Sequence, residues 1–407
     1  MAKKSTLSRW LALTRQLLEC PTAPLMEETP VRHILDFAAA RPALAVRRDP
    51  SGNLLLGYPR SAFSATAPLV LVAHLDHPGF WVEARAGATV RLRFRGGVNA
   101  AHAVPGTRLA FFRRGERAPT GKGVLDRVAG ERGRSAQSRV ETASWGLQRA
   151  WARVVSGVAE PGGFAMWDLP AFRLEPGVLA AGGRCGIAGG RIYSRCCDDL
   201  VGAAAILCVL DELARRRTRG VNVWGLFTRA EEVGFYGALM AVRHRIVPRG
   251  ARVISLECSR AFAHAPQGAG VAIRVGDRAS LFDATFTEAL RQAAKRVQGR
   301  LPDFRYQRKL MDGGTCEATV FCSAGFRSSG LALPLGNYHN QAGLEQGRKA
   351  IGPEHVAVAD FKAEIQLLLE VARQGRGIVK GERATRAMLE IRARRAEQEL
   401  RRRPLQA

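Results

Sequence analysis

DDLVGAAAILCVLDELARRRTRGVNVWGLFTRAEEVGFYGA, residues 198–238, decides the fold. Its first half carries apolar residues at helical spacing and ends in a basic turn, which predicts a strong, largely buried helix. VNVWGLFTR, 221–229, is short, rich in branched and aromatic residues, and reads as a strand. Two acids, Asp198 and Asp199, precede the helix, and two more, Glu231 and Glu232, follow the strand. Acids at element ends, in a chain with only 36 Asp and Glu against 62 Lys and Arg, ask what holds them there.

Outward from this stretch the same alternation recurs. PLVLVAHLD reads as a buried strand ending at His74 and Asp76, and ARVISLE as a strand ending at Glu257. LFDATFTEALRQAAKRV predicts a helix, SSGLALPL a strand, and EHVAVADFKAEIQLLLEVARQ a long amphipathic helix. Towards the N-terminus a helix from Leu7, a loop ECPTAPLMEETP, a second helix through His33 to Ala40 and a strand pair around VRRDPSGNLLLGY are expected, the last reversed at DPSGN. Strands alternating with helices imply an α/β fold, a three-layer sandwich around a mostly parallel central sheet. Between about Phe80 and Ile187 the texture changes to short alternating segments broken by Gly and Pro, an inserted β-rich domain in which Gly121 to Ala150 is read as partly helical or mobile. The expected division is 1–80 and 188–380 as two parts of a catalytic domain, 81–187 as the insertion, and 381–407 as a basic helical tail.

Composition narrows the classes. With 407 residues and 46% hydrophobic content the chain can build more than a small binding module. No apolar run reaches the roughly 18–20 residues of a membrane span, and the N-terminus reads as no export signal. Eight cysteines without a CxxC pair or a regular framework fit reduced thiols in a cytoplasm. The formal charge of +26 rests almost wholly on arginine. These arginines are dispersed along the sequence and rarely interleaved with aromatics, so nucleic acid is not an expected partner.

Polar residues at the carboxyl ends of strands are the candidates for chemistry, because open α/β sheets bind there. His74 and Asp76 are two apart and leave an extended backbone on one face, where an aspartate can fix the tautomer of the imidazole. Asp198 or Asp199 could be a plain helix cap, although capping does not need both. Glu231 and Glu232 are consecutive and so point apart, which suits one to hold a metal and its neighbour to move a proton. Gly234 and Gly237 beside them suggest a tight backbone. His74, Asp198, Glu232, Glu257 and His339 supply two imidazoles and three carboxylates, a donor set for a pair of borderline divalent ions sharing one carboxylate.

The stretches RDPSGNLLLGY, VAHLDHPGFWV, RFRGGV, CDDLVGAAAILCVL, FTRAEEVGFYGA, ISLEC, MDGGT and YHN occur in the order found in the dinuclear metallo-aminopeptidases of the glutamyl and tetrahedral aminopeptidase type, which the chain resembles. The resemblance implies a zinc-exopeptidase-like fold and two zinc or cobalt ions. His74, Asp198 and Glu257 would hold one, and Asp198, Glu232 and His339 the other. Glu231 would be general base to a metal-activated water, and Asp76 would orient His74. It also implies removal of N-terminal residues from peptides and a homo-oligomer assembled through the inserted domain. Glu257 stands where the family usually has aspartate, and Cys316 and Glu317 where it has GGTDAGA. The alternatives are therefore a dinuclear amidohydrolase or carboxypeptidase acting on N-acyl or other amides, and a non-catalytic basic scaffold or nucleic-acid-associated protein.

Overall fold

The computed structural model describes residues 5–59, 67–132, 145–175, 190–343, 347–374, 390–394 and 397. Helix α1 (Thr6–Leu18) is capped by Ser5, whose hydroxyl accepts from the Ser8 amide. Helix α2 (Glu28–Ala39) starts inside the segment expected to be a loop, because Pro30 sits in its first turn, where a missing N–H costs nothing. Strands β1 (Ala45–Arg48) and β2 (Leu54–Pro59) form the expected antiparallel pair, and β3 (Leu69–His74) follows, buried along its whole length.

The chain then leaves the sheet. Strands β4 (Gly79–Ala86), β5 (Thr89–Arg95), β6 (Arg108–Phe112), β7 (Gly121–Arg132), β8 (Trp145–Gly157) and β9 (Phe164–Trp167) close a barrel in the order β4-β5-β8-β7-β6-β9. Its interior is a separate apolar cluster that includes Phe80, Leu92, Phe111 and Trp167. The described parts of Gly121–Ala150 are strands, not a helix; Gly121, Gly123 and Leu125 alternate inward along β7, which pairs with its neighbour β8. Residues 133–144, the rest of that segment, lie outside the described residues.

After β10 (Arg173–Leu174) and β11 (Arg191–Ser194) come α3 (Leu200–Arg215), β12 (Asn222–Thr228), α4 (Tyr236–Arg243), β13 (Arg252–Arg260) and β14 (Val271–Gly276). They are followed by α5 (Ala284–Arg300), β15 (Tyr306–Leu310), α6 (Glu317–Ser323), β16 (Arg327–Gly336), the short pair β17 (Gln341–Ala342) and β18 (Ala350–Ile351), β19 (Glu354–Ala357) and α7 (Val358–Gln374). The expected helix from Glu354 therefore begins four residues later. EHVA is spent on a strand pairing β11 and β16 before the helical period takes over.

The main sheet runs β1-β2-β12-β3-β13-β16-β19-β11-β10, with β14 paired to β16 and β15 to β14. It is mixed. The four central strands β12, β3, β13 and β16 are mutually parallel, while both flanks turn antiparallel through β2, β14 and β19. Strand β3 shows why the centre is buried on both faces: Leu69, Leu71 and Ala73 join one apolar cluster with α1, α3, α5 and α7, and Val70 and Val72 join another with α4 and α6. Among the described residues no helix is long and apolar enough to cross a membrane. Of the basic tail, residues 390–394 are helical and exposed, and most of the rest lies outside the described residues.

Candidate metal centre

Parallel pairing brings the candidate residues together. His74 ends β3 in register with Thr228 of β12, and Ser255 of β13 is in register with Val72, so Glu257 and the turn after Thr228 reach the same edge. That turn is a single 3-10 turn, Glu231–Val233, entered through Ala230 at φ 52° and left through Gly234 at φ 117°. Gly237 is required by close approach, since a Cβ there would lie 2.4 Å from the Arg229 nitrogen. The tight backbone expected from the two glycines is present.

The turn is held by two buried acids. Asp76 Oδ1 accepts the Glu231 amide at 2.9 Å and Oδ2 accepts the Glu232 amide at 3.1 Å. Glu27 accepts the Ala230 amide and pairs with Arg229 at 2.8 Å. The expected Asp76–His74 contact takes a different form: His74 Nδ1 lies 3.1 Å from the Asp76 main-chain oxygen and 3.6 Å from its carboxylate, which the two amides already engage.

Six side chains converge here. Three overlapping groups, His74 with Asp198 and Glu257, Asp198 with Glu232 and His339, and His74 with Glu231 and Glu232, each present ligand atoms within 4.8 Å of one another. His74 Nε2 is 3.5 Å from Asp198 Oδ1 and 3.8 Å from Glu231 Oε2; His339 Nε2 is 3.1 Å from Glu232 Oε1 and 3.5 Å from Asp198 Oδ2. His339 Nδ1 faces the Gly97 carbonyl at 2.6 Å. A carbonyl can only accept, so both Nδ1 atoms carry a proton, and both Nε2 atoms, turned towards the carboxylates, are the ring nitrogens left to ligate an ion.

The donor set fits divalent cations. Asp198 Oδ1 and Glu232 Oε1 are buried without a hydrogen-bond partner, a costly arrangement that a cation relieves. Burial alone would raise Asp198, but His339 and His74 hold its carboxyl below the usual range. Burial likewise opposes protonation of the imidazoles, yet Glu231 and Asp198 raise His74, and Glu232 and Asp198 raise His339. Glu257 is pushed up to about 8 by burial. Imidazole nitrogens and carboxylate oxygens in this mixture suit a borderline divalent ion better than one that takes oxygen ligands alone.

A supporting layer escaped the sequence reading. Glu354 accepts the Asp198 amide at 3.0 Å and the His339 amide at 2.8 Å, so one buried carboxylate sets two ligands. His339 adopts φ 53°, a left-handed conformation costing about 1–3 kcal/mol that such anchoring sustains. His77 bridges the Asp198 carbonyl at 2.7 Å and Asn340 Oδ1 at 3.0 Å. Asp199 occupies the N-cap of α3 but makes no capping hydrogen bond; it is fully buried with both oxygens unpartnered. The peptide bond joining it to Asp198 is cis. The only signal for this layer was acidic residues inside otherwise apolar stretches, which does not say what they touch.

The centre opens into a cavity of about 170 Å³ lined by His74, Asp198, Glu231, Glu257 and His339 on one side and by Arg274, Met311 and Cys316 on the other. Arg274 is 2% exposed, its Nε has no partner, and its two hydrogen bonds, to Ser259 Oγ and the Met311 carbonyl, are long at 3.3 and 3.4 Å. Glu317, the neighbour of Cys316, is fully buried, and burial pushes it up to about 7.

Residues 182–348 match the family model described as M42 glutamyl aminopeptidase. The match spans the helix, the glutamate turn, Glu257 and His339, and it supports the resemblance to the metallo-aminopeptidases, a hydrolase family. No curated protein matches the chain. Among solved structures, an aminopeptidase from the archaeon Desulfurococcus kamchatkensis superposes with a TM-score of 0.70 at 18% identity, covering 91% of this chain and 96% of that one. A TET aminopeptidase from a marine-sediment thaumarchaeote gives 0.69 at 17%, covering 92% and 99%. The TET1 peptidase of Pyrococcus horikoshii, described as assembling into a tetrahedron or a large octahedral shell, gives 0.65 at 17%, covering 89% and 99%. At these identities the structures establish a shared fold between this chain and the aminopeptidases.

Proposed function

We propose that this chain is a dinuclear metal-dependent exopeptidase that removes N-terminal residues from peptides. The observation that carries the reading is the sharing of Asp198 between two ligand groups, one completed by His74 and Glu257 and the other by Glu232 and His339. Each group would hold one divalent ion, zinc or cobalt. Such ions, when bound, supply Lewis-acid polarisation of the scissile carbonyl and acidify water.

The chain's own residues do the rest. Glu231 lines the cavity and is left outside the two Asp198-centred groups, with its amide fixed by Asp76. Burial raises its carboxyl well above the usual range, so as a carboxylate it is a strong base; it takes the proton of the attacking water and returns it to the leaving amine. Asp76 is a positioning residue for this base and, through its main-chain oxygen, for His74.

The same reading divides the chain into a catalytic domain, 1–80 with 188–380, and an inserted barrel domain, 81–187; the separate cores of the sheet and barrel support this, as do apolar clusters on both sheet faces for three-layer packing. Assembly into a homo-oligomer through the barrel is drawn from the assemblies of the P. horikoshii peptidase, and a cytoplasmic setting from the seven free cysteines among the described residues. The test is hydrolysis of free against N-acetylated aminoacyl arylamides after adding Zn²⁺ or Co²⁺. Cleavage of free N-termini alone supports the aminopeptidase. Cleavage of blocked substrates moves the chain to the amidohydrolases, the reading that Glu257 and Cys316 in the cavity wall would favour.

A further inference from the structure

The arginines that look dispersed along the sequence are gathered by the barrel. Strand β5 alternates, with Val90, Leu92 and Phe94 buried inside and Arg91 and Arg93 exposed outside. Its neighbour β8 buries Ala150 and Ala152 and turns Arg149, Trp151 and Arg153 outward. The registers stack these residues in rows: Arg93 faces Arg149, and Arg91 faces Trp151, which faces Arg127 of β7. The Arg127 guanidinium lies 4.0 Å from the centre of the Trp151 ring. Strands are about 4.8 Å apart and alternate residues about 7 Å apart, so five arginines and one indole share a small convex patch.

Acids on the patch are too few to offset it. Arg91 pairs with Glu83 at 3.1 Å, and Arg153 sits 4.0 Å from Asp126. Arg93, Arg127 and Arg149 have no ion pair among the described residues. Like charges directly opposite one another across a strand pair destabilise a sheet, so the Arg93–Arg149 pair is a liability that an anionic partner would relieve. A second copy laid patch to patch would bring the same positive charge and be repelled, so the assembly proposed above uses other faces of the barrel. The face is three strands wide, broader than the two-stranded ribbon that a duplex major groove admits, whereas guanidinium groups beside an indole offer charge for the backbone and a stacking surface for the bases of a single strand.

We propose that the outer face of β5, β8 and β7 binds single-stranded nucleic acid. This is independent of the hydrolytic reading and runs against the expectation of no nucleic-acid partner. The arginines and aromatics are not interleaved along the sequence, but they are interleaved across the strands.

The experiment is fluorescence anisotropy of the full chain with a labelled 20-nucleotide oligouridylate across 50–200 mM salt. Compared are the wild type, the double variant Arg93→Gln/Arg149→Gln, and a charge-matched control, Arg243→Gln/Arg249→Gln, whose exposed arginines lie beyond the barrel. Thermal unfolding verifies that each is folded. The expected result is salt-sensitive binding that the barrel variant weakens at least tenfold, with the salt slope reduced by about 1.4 for two lost phosphate contacts, while the control binds like wild type. Trp151→Leu should weaken binding between about 5- and 150-fold through lost stacking. Equal losses in the barrel variant and the control would assign binding to diffuse charge and overturn the proposal. So would no binding at 50 mM salt, or capture by anionic phosphatidylserine vesicles in preference to the oligonucleotide.

Discussion

Replacing Asp76 with Asn would separate what the aspartate's carboxylate does from what its main chain does. The carboxylate accepts two buried amides, of Glu231 at 2.9 Å and Glu232 at 3.1 Å. Hydrogen bonds to a charged acceptor contribute about 1.5–3 kcal/mol each, so the pair stabilises the turn by about 3–6 kcal/mol. Asparagine keeps one neutral acceptor, worth about 0.5–1.5 kcal/mol, and turns an NH2 group towards the other amide, so about 1.5–5.5 kcal/mol is lost even before that amide's missing partner is counted. The main-chain oxygen that meets His74 Nδ1 is unchanged. The turn carrying Glu231 and Glu232 therefore loosens while His74 keeps its tautomer. A displacement on the order of 1 Å at the base costs about 10²-fold in turnover. Steady-state kinetics, thermal unfolding and metal analysis on the same preparation should show kcat down about 10²-fold, a lower unfolding temperature, and an ion retained by the group containing His74. Wild-type kcat and unfolding temperature in Asp76→Asn would refute the positioning role.

Other substitutions probe the remaining assignments. Glu231→Gln keeps size and hydrogen bonding but not basicity; turnover should fall by about 10² or more with ion content unchanged, and unaltered turnover would remove Glu231 from the mechanism. Glu354→Gln leaves the Asp198 and His339 amides one neutral and one mismatched partner, so metal affinity should fall about 10–100-fold in a chelator titration; wild-type affinity would show that Glu354 orients neither. Arg274→Met removes a buried guanidinium whose hydrogen bonds go to Ser259 Oγ and the Met311 carbonyl, and kcat/KM for N-terminal Glu or Asp should fall at least tenfold relative to Leu. Equal losses on acidic and apolar residues would assign Arg274 to cavity structure alone.

The sequence exposed those parts of the fold whose signal is local. Strand β3 and helix α3 are dense in apolar residues, and the candidate ligands sit where those elements stop, so His74, Asp198, Glu232, Glu257 and His339 could be named from their positions. Contacts between distant segments left no such trace. Glu27 meets the Ala230 amide across 203 positions, and Glu354 meets Asp198 across 156. Hairpin β7–β8 misled because glycines and charges interrupt it, and only barrel closure shows which face of it is inside. Strand β19 merged with α7 because four residues, three of them buried, are too few to show a period of two. The parallel centre of the sheet was readable from alternating elements; its antiparallel flanks depend on where β2, β14 and β19 turn back, which is set by tertiary packing.

The central claim is one carboxylate shared by two ions, and metal analysis of wild type beside Asp198→Ala, each loaded with Zn²⁺ and passed over a desalting column, tests it most directly. Two ions per chain in the wild type and none in Asp198→Ala are predicted, with the variant still folded. A single ion in the wild type, or two retained by Asp198→Ala, would contradict it.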